Sequence, residues 1–146
     1  MGLLSWWRAR HPDRLQSIST MTYTRGVSWE IWLWSDVESW LLSLDDASYE
    51  LVAAAIDRLV DQSPALGRPT ADRITGSRHH NMKELRPGSA GRSEIRILFA
   101  FDPQRQAVLL VAGDKAGRWR QWYAENIPVA DDRFDRWLAG EEERDG

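Results

Sequence analysis

Apolar positions along this chain follow a period of two, then a helical period, then a period of two again. Trp29 to Trp34 (Trp-Glu-Ile-Trp-Leu-Trp) is rich in aromatic and branched residues and reads as a strand. Ser35-Asp36-Val37-Glu38 is a capping-box pattern that starts a helix. Val37, Trp40, Leu41 and Leu44 then recur at i, i+3, i+4 and i+7, one apolar stripe. Asp45-Asp46 interrupts it, and Asp46 is the candidate cap of a second helix. In that helix Tyr49, Val52, Ala53, Ile56, Leu59 and Val60 share a face, until Ser63-Pro64 ends the ladder. So short a link predicts an antiparallel helical hairpin. Gly67-Arg68-Pro69 is a loop, and Arg73-Ile74 is too short to assign.

The second half returns to strands. His80 to Arg86 reads as one, and Pro87 to Gly91 as a flexible connection. Ser93 to Phe101 alternates clearly, with Ile95, Ile97, Phe99 and Phe101 on one face and Glu94, Arg96, Leu98 and Ala100 on the other. Asp102-Pro103-Gln104-Arg105 is turn chemistry. Ala107 to Ala112 is apolar on both faces, as a central strand is. Gly113 and Gly117 frame a loop holding Asp114 and Lys115. A helix covers Trp119 to Glu125, and Asp131 to Leu138 adds another turn or two.

That order predicts an α+β fold: a small antiparallel sheet of about four strands, an N-terminal helical hairpin on one face and a short C-terminal helix. The other face is where Arg96 would project. Residues 1–27 read as an N-terminal arm or start-site extension, with Met21 a candidate start and Trp6 and Trp7 arguing against plain disorder. Residues 28–128 form the folded domain and residues 129–146 an acidic C-terminal segment.

The 146 residues suit one domain, and 42% apolar composition suffices for a core. Cysteine is absent, which excludes disulfides and thiolate zinc sites and fits a reducing cytosol. No apolar run approaches the roughly 18–20 residues of a membrane span. Charge changes the picture more. Residues 28–67 carry one basic and eight acidic side chains, and residues 68–123 eleven basic and five acidic. Residues 124–146 carry three basic and eight acidic. A basic block between acidic flanks suits local anion binding despite the overall charge of −3.

Strand pairing puts Lys83 or Arg86, Arg96 and Lys115 within reach of one another, with the register left open. Arginine and lysine on a sheet suit phosphate. The plainer reading makes Arg86 and Arg96 exposed sheet residues paired with Glu84 or Glu94, Lys83 a solvated strand position and Lys115 a surface charge. Adjacent His79 and His80 point to opposite faces of a strand, so at most one can reach a site, and His80 is the candidate. The plainer role, a loop or packing histidine, is favoured. No third ligand is spaced to make a metal site with them, and no cofactor is expected. Asp114 can orient Lys115 or cap a turn. Of nine tryptophans, Trp29, Trp32, Trp34 and Trp40 suit packing of the first strand on the hairpin.

At Lys83-Glu84-Leu85-Arg86, Glu94-Ile95-Arg96-Ile97-Leu98-Phe99 and Leu109-Leu110-Val111-Ala112-Gly113-Asp114-Lys115 the chain resembles the RelE/HigB superfamily of type II toxin–antitoxin toxins, in its phage-derived HigB-like branch. The resemblance covers residues 28–125, and the order and spacing of the pieces carry it more than any one of them. It implies a cytoplasmic, metal-independent mRNA endoribonuclease acting in the ribosomal A site and leaving a 2′,3′-cyclic phosphate. It also implies a cognate antitoxin, of the helix-turn-helix kind, as partner. Ribonuclease chemistry of this sort needs a base, an acid and positive charge on the phosphorane. Arg96 matches the arginine on the scissile phosphate, Lys83 and Arg86 the flanking basic positions, and Lys115 the basic residue after the last core strand. Tyr123 matches the aromatic near the C-terminal helix, and His80 is the remaining catalytic candidate. Arg78, Arg92, Arg118, Trp119 and Arg120 are the RNA-binding candidates, and Trp122 is a further candidate for base or ribosome contact. Asp114 and the acidic tail depart from the pattern. The alternatives are a non-catalytic antitoxin-binding protein on the same fold and a gyrase-targeting ParE-like toxin.

Overall fold

The computed structural model describes residues 30–62 and 65–140. The expected arm at 1–27, Trp29, Ser63-Pro64 and the acidic residues 141–146 lie outside the described residues. The elements are β1 (Glu30–Leu33), α1 (Ser35–Leu42), α2 (Asp46–Gln62), β2 (Ala71–Arg73), β3 (Met82–Leu85), β4 (Ile95–Phe101), β5 (Gln106–Asp114) and α3 (Trp119–Leu138). They form one sheet in the order β1-β5-β4-β3-β2. The α+β class holds, with five strands instead of about four. β1 pairs parallel to β5, while the other neighbours are antiparallel. The added strand, β2, has three residues, too few to carry a period.

Ile97, Leu98, Phe99 and Ala100 are all fully buried, so β4 is covered on both faces. α3 lies on the face that carries Trp32 and Glu84: Trp137 packs 5.8 Å from Trp32, and Tyr123 bonds Glu84. The opposite face, with Ile97 and Phe99, is left to α1 and α2, whose Val37, Leu41, Val52, Ile56 and Leu59 are buried. The face opposite the hairpin, where Arg96 projects as expected, is therefore largely roofed by α3. α3 is not short: it runs 20 residues through Pro128. The proline gives up one backbone hydrogen bond, but Trp122, Ile127, Ala130, Phe134 and Trp137 bury one side of the helix and hold it together.

Local details differ from the sequence pattern in instructive ways. Ser35 lies inside α1, and Trp34 is the N-cap with no side-chain cap bond, so the capping box is out of register. The α2 entrance is held by Asp45, whose Oδ1 accepts the Ser48 N–H at 3.1 Å, one residue before the expected Asp46. A β-bulge falls where Leu98 faces Val111 and Phe99 faces Leu109, leaving Leu110 extra. Its carbonyl accepts from Arg133 Nη1 at 2.7 Å, and Arg133 Nη2 reaches Asp36 at 2.5 Å, tying α3 to α1.

Candidate active site

β3 and β4 run antiparallel with Glu84 opposite Leu98 and Leu85 opposite Ile97. One step outward, Arg86 comes opposite Arg96. Neighbouring strand residues face opposite ways, so Glu84, Arg86 and Arg96 share the face under α3. β5 places Gly113 opposite Arg96, and the Trp122 indole fills the space above it. A Cβ on Gly113 would sit 2.6 Å from Trp122 Nε1. The chain then turns at Asp114, whose Oδ1 accepts the N–H groups of Glu94 and Ala116, both at 2.9 Å. Gly117, at φ 75°, takes a conformation that other residues resist and leads into α3. Asp114 thus caps a turn.

Glu84 is the centre of the arrangement and is 2% exposed. Its Oε1 accepts the Tyr123 hydroxyl at 2.5 Å. Its Oε2 accepts Arg86 Nε at 2.9 Å and lies 2.8 Å from Arg86 Nη2. Arg86 Nη2 is also 3.4 Å from Asp72. Arg96 Nη1 donates to the Ile95 carbonyl at 2.8 Å, while its Nε lies 3.8 Å from Glu84, buried and without a hydrogen-bond partner. A buried donor left over in this way is a feature of sites more than of ordinary surfaces. Lys115 Nζ stands 5.3 Å from the Tyr123 ring centre.

The electrostatics follow. Burial, then the hydrogen bond and charge of Glu84, push the Tyr123 phenol up to about 12, with Arg96 working the other way. Tyr123 is therefore a proton donor across the neutral range. Burial works against the charge on Arg86, but Glu84 and Asp72 outweigh it and its pKa is raised. The Arg73 N–H chiefly holds Asp72 below the usual carboxylate range, with Arg68 and Arg86 adding to it. A cleft of about 400 Å³ opens beside the cluster, lined by Arg73, Ile74, Thr75, Glu84, Trp119, Arg120, Tyr123 and Ile127.

Of the catalytic candidates, Arg86, Arg96, Lys115 and Tyr123 come together. Lys83 does not: it faces the other side of the sheet, with Nζ 5.5 Å from the Phe101 ring. His80 does not either, because β3 begins at Met82 and His80 is exposed in the preceding turn. His79 is a packing histidine, edge-on to Phe134 and 2.7 Å from Asp135. Among the RNA-binding candidates, Trp119 and Arg120 border the cleft, and Arg118 pairs with Glu125 beside them. Arg92 is exposed in the β3–β4 connection. Arg78 is bound to Asp135 near the far end of α3. Trp122 is core, not a contact surface. The residues missed are Glu84, Asp72 and the cleft wall Arg73–Thr75. Glu84 and Arg86, two apart in a strand, carried the signal. No group of three His, Asp or Glu side chains is disposed to hold a metal ion among the described residues.

The family described as Phage derived protein Gp49-like matches residues 39–135, which include every member of the cluster. The chain belongs to this HigB-like family. Two relatives come from Mycobacterium tuberculosis (strain ATCC 25618 / H37Rv). Putative toxin HigB2 is 62% identical over 103 residues, 70% of this chain and 51% of that protein, so the chain spans about half its length. Putative toxin HigB3 is 56% identical over 105 residues, 72% of this chain and 90% of that protein. No solved structure matches the chain. The HigB-like fold here presents its basic strand ends, Arg86, Arg96 and Lys115, at one end of the sheet beside α3. No described helix is long and apolar enough to cross a membrane.

Proposed function

We propose that this chain is the toxin of a toxin–antitoxin pair and that it cleaves mRNA on the ribosome, in the cytoplasm, without a metal. The observation that carries the reading is the convergence of Arg86, Arg96, Lys115 and Tyr123 on the buried carboxylate of Glu84, beside an open cleft. The names of its HigB-like relatives supply the toxin role. The partner is a cognate antitoxin, of the helix-turn-helix kind.

The chemistry is an internal transfer at phosphorus. The ribose 2′-oxygen attacks, the O2′–P bond forms and the P–O5′ bond breaks, leaving a 2′,3′-cyclic phosphate. The 2′ proton goes to Glu84, and Tyr123 gives its proton to O5′. Transfer along the Glu84–Tyr123 hydrogen bond restores both groups. Arg96, with its spare Nε, and Arg86 bear the charge that builds on the phosphoryl oxygens. Lys115 adds to that charge from across the Tyr123 ring.

The test is primer extension on a defined translated mRNA in cells induced for wild type, Arg96→Ala or Lys115→Ala. Translation-dependent cuts that fall at least about 100-fold in folded Arg96→Ala are expected. Growth arrest with intact mRNA would redirect the assignment to gyrase or another target. Glu84 and Asp72 already neutralise Arg86, which favours a non-catalytic antitoxin-binding protein as the second reading. Folded wild type that neither arrests growth nor cuts mRNA would establish it.

A further inference from the structure

β2 sets Asp72 directly opposite Glu84 on β3, so two carboxylates stand side by side on neighbouring strands. Like charges in that position repel. Arg86 resolves the conflict. Its backbone N–H donates to the Thr70 carbonyl at 2.6 Å, which fixes where the side chain begins. Its guanidinium then lies between the two acids, with Nη2 2.8 Å from Glu84 Oε2 and 3.4 Å from Asp72 Oδ2. Its Nε also donates to Glu84, at 2.9 Å. Glu84 is thus the occupied partner and Asp72 the waiting one.

Asp72 is held ready from its other side. Its Oδ1 accepts the Arg73 N–H at 2.8 Å, and its Oδ2 accepts Arg68 Nε at 3.0 Å. Those contacts keep it ionised in neutral solution. Its side chain is 19% exposed and that of Arg86 35%, against 3% for Glu84. An incoming strand therefore meets Arg86 and Asp72 before it meets Glu84. The chemistry asks two opposed things of the Glu84–Arg86 pair. Glu84 needs a free oxygen to accept a proton, and the N–H groups aimed at Glu84 are not available to a phosphate. A second carboxylate within reach lets the guanidinium turn without losing a partner for its charge.

We propose that Asp72 is a positioning residue that takes the Arg86 guanidinium over from Glu84 when a phosphate enters, so that Glu84 is freed as the base and Arg86 is turned to the phosphate. The consequence for cleavage rests on the ribonuclease reading, while the sharing of Arg86 rests on the two distances. Without Asp72, Arg86 closes on Glu84 alone, which neutralises the base and withdraws a phosphate ligand.

The full chain, labelled with ¹⁵N at arginine, is compared with Asp72→Asn, which removes the charge, and Asp72→Glu, which keeps it. The Arg86 Nε–H resonance is assigned by its loss in Arg86→Lys. The probe is a dinucleoside monophosphate methylated at its 2′-oxygen, so that it cannot be cut. In wild type the probe should shift this resonance. In Asp72→Asn the resonance should exchange more slowly with solvent and barely respond to the probe, and Asp72→Glu should behave as wild type does. Arg68 is 78% exposed, so Arg68→Ala spares the fold. It removes a competitor for Asp72 and should speed the exchange, the opposite of Asp72→Asn. The handover falls if wild-type Arg86 ignores the probe, if Asp72→Asn responds as wild type does, or if Arg68→Ala slows the exchange.

Single-turnover cleavage of translated mRNA is read separately. Asp72→Asn should lower the saturating rate about 10- to 100-fold with little change in half-saturation, and Asp72→Glu should recover most of it. Equal loss in both variants, or a change in half-saturation alone, gives Asp72 a structural or binding role and overturns the proposal. A wild type that shows the handover yet cuts nothing sinks the ribonuclease reading and keeps the shared arginine.

Discussion

A single carboxylate, Glu84, holds Arg86 through one oxygen and the Tyr123 hydroxyl through the other. Its loss would release both partners inside a half-closed site. Tyr123→Phe keeps the ring against Lys115 and removes only the proton donor, so cleavage should fall about 10²- to 10⁴-fold with little change in near-ultraviolet spectra. The phenol can be followed directly. Burial is the largest single cause of its rise to about 12, followed by the hydrogen bond to Glu84 and then its charge, so Glu84→Gln, which leaves the burial in place, should lower the value without returning it to the usual 10. The late step in the wild-type minus Tyr123→Phe ultraviolet titration measures this. Because the folded value lies above the ordinary one, the protonated phenol stabilises the fold fully below pH 10, and that contribution is lost as pH rises through 12. Tyr123→Phe should flatten stability across that window. Arg86 and Arg96 are legible in the sequence as basic strand residues, but alternation within each strand leaves open whether Lys83 or Arg86 shares the Arg96 face, and the β3–β4 register decides for Arg86. Glu84 is harder to read, since a carboxylate between basic residues looks the same whether it neutralises a surface or organises a site. His80 misleads because Asn81, the turn-forming residue beside it, sits next to a strand-like run and marks the turn that ends before Met82 only weakly.

At the level of elements, α3 does more than its apolar pattern announces. Pro128 makes the sequence read as two short helices, yet the buried side of α3 runs through it. The parallel pairing of β1 with β5 is equally hidden, because it joins strands separated by most of the domain. The period-two runs and the helical hairpin, by contrast, are local signals and read correctly. Two substitutions test how α3 is seated. Gly113→Ala places a methyl 2.6 Å from the Trp122 indole, under the helix and opposite Arg96. It should cost about 1–3 kcal/mol in urea unfolding, because the indole is boxed in and must move. Asp131→Ala frees the Ser77 hydroxyl and the Arg78 N–H. A loss of about 1–3 kcal/mol is expected, with faster amide exchange at residues 77–79 and an unchanged β4–β5 pair. Unchanged exchange there would mean that Asp131 does not fasten the segment.

Across the whole molecule, the charge of −3 conceals a basic block of eleven Lys and Arg against five acids at residues 68–123. The fold spends part of that block internally: Arg86 on Glu84, Arg78 on Asp135 and Arg118 on Glu125. Lys115 and Arg120 instead lie over aromatic rings beside the cleft, where their charge still reaches an incoming strand. Single-stranded RNA loses affinity with salt at a logarithmic slope of about −0.7 per phosphate neutralised. Two to four such contacts give a slope of roughly −1.4 to −2.8 for a short single-stranded RNA whose 2′-hydroxyls are methylated so that it cannot be cut. Lys115→Ala and Arg120→Ala should each reduce its magnitude by about 0.7, and Arg118→Ala by less, because Glu125 already neutralises it. A slope near zero would mean that the strand avoids this end of the sheet, and the acidic remainder of the surface would then govern encounter with RNA.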